Sequence, residues 1–142
     1  MTHRRLLPAA LLITLCSVTG CAGAGETSEE SRTRFYTALD TTQEALGGRW
    51  DNRDDPTPRG CPLPLWVRGE TYPALRVGPI PDDVTVTLDA AHAALEELGY
   101  EVDGGEVGDV LELQGKRGSE IVIFRITDDG MTLQGESSCR PR

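Results

Sequence analysis

The chain has 142 residues and a formal net charge of −9, a length that suits one domain with a modest core. Because phosphate binding requires a basic surface, the acidic balance argues against a nucleic-acid partner. Of the 14 basic residues, Lys116 is the one lysine and the rest are arginine. Together with the abundant glycine and alanine, this suggests a G+C-rich genome and an actinobacterial origin.

The N-terminus follows the three-part plan of an export signal. Arg4 and Arg5 precede an apolar run over residues 6–16, which is shorter than the ~20 residues needed to span a bilayer. Residues 18–21, Val-Thr-Gly-Cys, resemble the bacterial lipobox, in which small residues precede an obligatory cysteine. We therefore expect cleavage between Gly20 and Cys21 and a diacylglyceryl group on the Cys21 sulfur.

This interpretation divides the chain into a lipoprotein signal peptide (1–20), a tether (21–27) and one extracytoplasmic α+β domain (28–142). The alternative is an ordinary signal peptide, but no A-x-A-like pair stands at the boundary. No second apolar run of spanning length follows, so lipid is the predicted anchor on the outer face of the cell membrane. We expect an anionic membrane to repel so acidic a domain. The acyl chains must therefore provide the attachment to the membrane.

Two cysteines remain beyond the lipidated one. Cys61 and Cys139 could be buried free thiols, but an even pair in an oxidising compartment favours a disulfide. Cys139 also shares strand parity with Met131 and Leu133, which predicts that its side chain faces the core.

Two helices are predicted from their caps. Thr27 and Glu30 form a capping-box pattern, and the helix should run to about Leu46 before Gly47 and Gly48. Asp82 or Asp83 should cap a second helix that ends at Leu98, with Gly99 beyond it. Its apolar stripe is Val84, Leu88, Ala91, Leu95 and Leu98.

The remaining segments predict loops and short strands. Residues 49–64 are proline-rich and predict a loop, with strands at 66–68 and 75–77. Further strands are expected at 100–102, 110–114, 120–127 (central in the sheet) and 131–138, with turns at 103–105, 115–118 and 128–130. This order predicts an α+β fold, with two helices packed on one face of a small antiparallel sheet and a C-terminal meander or hairpin.

The organisation resembles the small actinobacterial lipoproteins of the LppA type. The matching features are the lipobox at 18–21, the Cys61-Pro62 pair, the helix running into Leu98-Gly99-Tyr100, and Cys139. The resemblance covers most of the chain after the signal peptide. It implies a cell-envelope lipoprotein and carries no catalytic residues with it.

No residue pattern predicts catalysis, a cofactor or a metal. His92 comes directly after Ala91 on the second helix, lies off the core stripe and is interpreted as a solvated residue. No serine-nucleophile elbow occurs around Ser119, Ser137 or Ser138. Beyond the predicted signal peptide, one histidine and two paired cysteines are too few for zinc. The acidic clusters lack calcium-loop spacing; they are Asp51, Asp54 and Asp55, and Asp103, Glu106 and Asp109.

Three aromatic residues suggest a contact surface. Trp50, Trp66 and Tyr72 lie in or near the proline-rich loop, with residues 47–69 as the proposed surface, although packing against the core beside Cys61 is the favoured alternative. The leading hypothesis is a non-catalytic domain that binds an envelope protein or a cell-wall component. The alternatives are a small-ligand carrier and a carboxylate-based envelope hydrolase.

Overall fold

The computed structural model describes residues 25–142. The predicted signal peptide, the lipidation residue Cys21 and most of the tether lie outside the described residues.

Helix α1 (Ser28–Leu46) begins and ends as predicted. The Thr27 hydroxyl accepts a hydrogen bond from the Glu30 backbone N–H at 3.3 Å, and the Glu30 carboxylate accepts one from the Thr27 backbone N–H at 2.8 Å. These reciprocal bonds satisfy two donors that a helix N-terminus otherwise leaves free. The chain leaves the helix at Gly47, whose φ of 68° suits glycine.

Helix α2 (Val84–Glu97) has its N-cap at Asp83, whose carboxylate accepts from the Val86 N–H at 3.0 Å. Ala91 and Leu95 are buried, and Leu88 and Leu98 pack against the core as half-buried residues. Val84, the first member of the predicted stripe, lies exposed in the first turn.

Nine strands lie in the described residues, and all their pairings are antiparallel. In chain order they are β1 (Asp51–Asn52), β2 (Arg59–Pro62), β3 (Arg68–Thr71), β4 (Pro73–Gly78), β5 (Glu101–Val107), β6 (Val110–Arg117), β7 (Glu120–Thr127), β8 (Gly130–Glu136) and β9 (Arg140–Pro141). Six form a main sheet in the order β1-β4-β8-β7-β6-β5, and three form a small sheet in the order β2-β3-β9.

The core lies between the main sheet and the two helices. Phe124 on the inner strand β7 pairs with Leu133 on β8 and with Leu113 on β6. These residues form one buried cluster with helix residues that include Phe35 and Leu95. The predicted α+β class is confirmed, and β7 has the predicted bounds and a central place in its sheet.

Two predicted turns are strands instead. Residues 103–105 belong to β5, and β6 continues through residues 115–117, so the turns fall at 108–109 and 118–119. The reason is close packing: a β carbon at Gly104 would lie 2.6 Å from Leu113 Cδ2, and one at Gly115 would lie 3.3 Å from the Tyr100 side chain. Glycine inside a strand can mark such a close approach as well as a turn.

The proline-rich region differs most from its prediction. Residues 49–64 contain β1 and β2, and residues 64–66 form a tight turn where a strand was expected at 66–68. Proline is tolerated in β2 because β2 is an edge strand of the small sheet.

The strand predicted at 131–138 ends at Glu136. Ser137 and Ser138 are both buried, so the alternation of faces is lost before Cys139, and the parity argument for Cys139 was wrong. Among residues 25–142 no helix is long and apolar enough to cross a membrane.

Candidate functional site

A disulfide fastens the small sheet. Cys61 on β2 is bonded to Cys139, just before β9, with the two Cα atoms 6.1 Å apart. The bridge lies against Gly69 of β3, where a β carbon would come within 2.7 Å of the Cys139 sulfur. The predicted disulfide is confirmed, and Gly69 supplies the space it occupies.

An exposed hydrophobic turn links β2 to β3. We call residues 64–67, Pro-Leu-Trp-Val, the apolar loop. Leu65 is 90 % exposed, Trp66 100 % and Val67 47 %. Leu63 turns back instead, and its Cδ1 lies against Gly69. The loop therefore presents two large apolar side chains to solvent from a base that the disulfide fixes.

The backbone of the apolar loop is strained. Leu65 and Trp66 have φ values of 59° and 61°, in the left-handed region that costs a side-chain-bearing residue roughly 1–2 kcal/mol each. The turn is closed by the Leu63 N–H donating to the Val67 carbonyl at 3.1 Å. Such backbone strain concentrates at functional sites, because elsewhere it has no compensating use.

A cleft of about 630 Å³ opens at the base of the loop. Its walls include Pro58, Gly60, Pro62, Arg68 and Arg142. Arg68 is exposed and Arg142 is 89 % exposed, so the rim of the cleft offers two guanidinium groups to solvent.

The small sheet is bonded to the start of α1. The Ser28 hydroxyl donates to the Glu70 carboxylate at 3.1 Å, and the Ser31 hydroxyl donates to the Ser138 carbonyl at 3.1 Å. The Arg140 guanidinium donates to Glu26 at 2.9 Å. The small sheet that carries the apolar loop thus lies at the same end of the molecule as Glu26 and Ser28.

The three aromatic residues proposed as a contact surface are not brought together. Tyr72 is buried and donates its hydroxyl to Glu29 at 2.7 Å; burial first, and then this carboxylate, raise the pKa of Tyr72. The half-buried Trp50 packs its indole on Gly78 and donates from Nε1 to the Gly47 carbonyl at 2.9 Å. Both pack in the fold, although Trp50 packs at Gly78 and not beside Cys61 as the alternative had it, and Trp66 alone of the three is fully exposed.

The residues weighed for acid–base or metal chemistry are separated or already paired. His92 lies half exposed on α2, with Nδ1 3.3 Å from the Glu96 carboxylate one turn away. Three aspartates weighed for calcium bind within the fold: Asp51 pairs with Arg53, Asp54 with Arg76, and Asp55 accepts from the Thr57 N–H, which lowers the pKa of Asp55. Within the described part of the chain, no group of three or more His, Cys, Asp or Glu side chains could hold a metal.

Two buried ion clusters were missed at the sequence level. Arg76 is buried between Asp40 and Asp54, and its guanidinium also donates to Gln43 at 2.6 Å. The wholly buried Glu120 accepts from Arg34 and Arg117 at 3.0 and 2.7 Å. Both clusters are charge-paired inside the fold, which is the arrangement of structural ion pairs.

The apolar loop was also missed as a unit, although a signal was present. An uninterrupted run of apolar residues, Leu63 to Val67, lies between a cysteine and a glycine and contains a proline. Proline cannot donate to a sheet ladder, so Pro64 disfavours a buried strand here, and the run is compatible with an exposed turn.

Comparison with known proteins gives a fold and no function. No family model matches the chain, and no curated protein matches it. A crystal structure of a DUF4853 family protein from Actinomyces odontolyticus ATCC 17982 is similar, with a TM-score of 0.54 and 15 % sequence identity. The match covers 81 % of this chain and 66 % of that one, so this chain spans just under two thirds of its neighbour. At this identity the likeness shows the α+β fold alone.

Proposed function

We propose that this chain is a bacterial lipoprotein of the LppA-like type, cleaved before Cys21, and that its folded part works by binding an envelope component. The lipobox at 18–21 supports the anchor. A disulfide is typical of proteins exported to an oxidising compartment. The solved neighbour comes from an actinobacterium, in keeping with the proposed origin.

The observation that carries the binding proposal is Trp66, fully exposed on a strained turn above a disulfide. Tryptophan is enriched at contact surfaces because it buries a large apolar area and loses little side-chain entropy. We propose the apolar loop as the contact surface in place of the wider region 47–69. An envelope protein and a cell-wall component remain the predicted partners.

Binding accounts for the described groups better than catalysis does. General acid–base chemistry needs groups that titrate near neutral pH within hydrogen-bond reach of one another. His92 contacts a surface carboxylate on its own helix, and Glu120 is enclosed by two arginines. A carboxylate-based hydrolase therefore finds no specific support here.

The anchor is tested by replacing its cysteine. In Cys21→Ala the acyl acceptor is gone, so we expect uncleaved precursor or protein released into the medium. Mass spectrometry of the N-terminal peptide checks this. An unmodified Cys21 in membrane-bound wild-type protein would contradict the proposed anchor.

The contact surface is tested by crosslinking in the native envelope. A photo-crosslinking amino acid at position 66 should capture an envelope component, whereas the same group at position 92, on the half-exposed face of α2, serves as the matched control. Capture that is equal at both positions, or absent at position 66, would show that the apolar loop is not the contact surface.

A small-ligand carrier is the second candidate, favoured by the cleft beside Arg68 and Arg142. Gly60 lines this cleft, and a β carbon there meets nothing within 4 Å. Gly60→Trp should therefore fill the cleft without disturbing the fold. If Gly60→Trp abolishes the protein's effect on the envelope while Trp66→Ala preserves it, the carrier is the better account.

A further inference from the structure

We propose that the partner of the apolar loop is the lipid bilayer itself, with Leu65 and Trp66 inserted into the interfacial layer and Arg68 and Arg142 against anionic headgroups. This inference rests on the proposed lipid anchor at Cys21, and for the contact surface proposed above it names the bilayer in place of an envelope protein or a cell-wall component.

The side chains of the loop suit a membrane interface. Tryptophan is enriched at the headgroup level, where its ring is buried and its N–H stays hydrated. Leu65, 90 % exposed in water, would place its side chain deeper among the acyl chains.

Charge is unevenly distributed along the chain, and this favours the same face. The small sheet with its loop, residues 59–71 and 139–142, contains four arginines and one glutamate. The segment 82–129 contains 13 acidic and 3 basic residues. The excess of arginine is thus confined to the small sheet, and an anionic membrane attracts this part of a protein whose total charge is negative.

Of the four arginines, Arg68 and Arg142 are the least engaged by carboxylates in the described residues. Arg59 pairs with Glu136 and Arg140 with Glu26. Arg68, by contrast, makes no ion pair among residues 25–142, and Arg142 lies 3.8 Å from Glu70 at an exposed position. Arg68 and Arg142 also line the same cleft beside the apolar loop, where a headgroup phosphate could be held.

The proposed anchor and the loop can reach one membrane. Glu26 is bonded to Arg140 of the small sheet, and Cys21 precedes it by five residues, at most ~17 Å of extended chain. Trp66 precedes Glu70, which pairs with Arg140, by four residues, or at most ~13 Å. Lipid on Cys21 and an inserted Trp66 can therefore both reach a membrane that lies beside the small sheet.

The opposite end of the main sheet is acidic. The small sheet joins the main sheet where Pro73 pairs with Glu136, and the register places the turns at 108–109 and 128–129 at the other end of the strands. Those turns carry Asp109, Asp128 and Asp129, and α2 begins nearby after Asp82 and Asp83. Insertion of the apolar loop therefore directs these carboxylates away from the membrane.

The test uses the full-length lipidated protein in vesicles of phosphatidylcholine and phosphatidylglycerol, with or without bromine on the acyl chains. Trp50→Phe leaves Trp66 as the one tryptophan of the mature protein. Its emission should shift to shorter wavelength on reconstitution and should be mostly lost in brominated vesicles. Replacing phosphatidylglycerol with phosphatidylcholine should reduce the quenching, because Arg68 and Arg142 then lose their anionic partners.

Two matched variants serve as controls. Trp66→Phe leaves Trp50, packed on Gly78, and its emission should be the same in both kinds of vesicle. Adding Val107→Trp to a protein with both native tryptophans changed to phenylalanine places the probe at the exposed far end of β5, where no quenching is expected. If Trp50→Phe does not fold, the difference between wild type and Trp66→Phe gives the same quantity.

An anchored protein whose Trp66 emission is unaffected by bromine overturns the inference. So does a blue shift that bromine does not alter and that disappears as the protein is diluted in lipid, which would indicate a second copy covering the loop. If the loop crosslinks to a protein and not to lipid, this inference fails while the proposed function stands. If Cys21 carries no lipid, both fail.

Discussion

At the scale of single residues, Glu120 is the most constrained charge in the described fold. It is wholly buried and accepts hydrogen bonds from Arg34, Arg117 and the Tyr100 hydroxyl. Burial, and then the hydrogen bond to Glu120, raise the pKa of Tyr100 above its ordinary value, so the phenol keeps its proton and remains a donor. The cluster joins α1 to the turn between β6 and β7.

We predict that Glu120→Gln destabilises the protein by roughly 3 kcal/mol, because it removes the carboxylate that pairs with Arg117 and leaves Arg34 with Glu26 alone. Glu112→Gln is the matched control, since Glu112 pairs with Arg125 at a partly exposed site where such pairs contribute ~1 kcal/mol or less. Urea unfolding at pH 7 measures both. Equal losses in the two variants would contradict the structural role given to Glu120.

Local sequence could not have shown this cluster. Glu120 is three positions from Arg117 but 86 from Arg34, and glutamate at the start of a strand is ordinarily solvated. The contact depends on where α1 crosses the sheet. The exposure of Trp66 was not predicted for that residue alone. The sequence grouped Trp66 with two aromatic residues that are packed in the fold.

At the scale of elements, the α1 cap has a pH dependence whose direction follows from its hydrogen bonds. The backbone hydrogen bond from Thr27, followed by that from its hydroxyl, holds the pKa of Glu30 below 4.5, the value it has in an unfolded chain. A lowered pKa in the folded state means that the ionised cap stabilises the fold above pH 4.5. This stabilisation is lost as the pH falls through the lowered value.

We therefore predict that the wild type loses more stability than Glu30→Gln between pH 5 and pH 3. Glutamine keeps the acceptor oxygen of the capping box but does not titrate, so it isolates the ionisation of one residue. Guanidinium unfolding monitored by circular dichroism at the two pH values gives the difference. Parallel losses in the two proteins would mean that ionised Glu30 does not stabilise the helix terminus.

The elements that could be predicted were those specified by nearby residues. Both helices were located from caps within a few positions of their first turns, and β7 from its own apolar run. The β5–β6 turn was misplaced because Gly104 serves close packing against Leu113, a contact across the sheet. The small sheet was missed because β3 pairs with β9 about 70 residues later, which no local pattern indicates.

At the scale of the whole molecule, the disulfide is the one covalent link between distant parts of the described chain. Cys61 and Cys139 are 78 positions apart. Closing a loop of that length restricts the unfolded chain, and the chain-entropy model gives a stabilisation of roughly 4.5 kcal/mol. This is a large fraction of the ~5–15 kcal/mol by which folded proteins are typically stable.

We predict that Cys61→Ser with Cys139→Ser lowers the free energy of unfolding by about 2–5 kcal/mol. The small sheet should loosen first, since β2 and β9 are then held by few backbone hydrogen bonds. Guanidinium unfolding measures the first effect, and hydrogen exchange at Gly69 and Glu70 the second. A double-serine protein with unchanged exchange at those amides would show that the bridge is not what fixes the apolar loop.

The distribution of charge changes the expectation drawn from the total. A net charge of −9 suggests repulsion from an anionic surface, yet the small sheet carries an excess of arginine, and the turns at the far end of the main sheet carry Asp109, Asp128 and Asp129. Exposed charges farther from the membrane than the Debye length of about 8 Å are largely screened, so contact depends on the charges near the small sheet more than on the total. The sequence contains this asymmetry, but only the fold assigns it to two ends.

The order of the strands in the small sheet sets the order of maturation. Because β3 needs β9 and Cys61 needs Cys139, the sheet can be completed only after residue 141 has emerged beside the rest of the fold. On the proposed export route, which begins at the N-terminus, the main meander can assemble before the disulfide fixes the Leu65–Trp66 turn. The apolar loop thus acquires its fixed shape last. On the proposed route this happens in the oxidising compartment, where the rate of thiol oxidation sets when the loop becomes fixed.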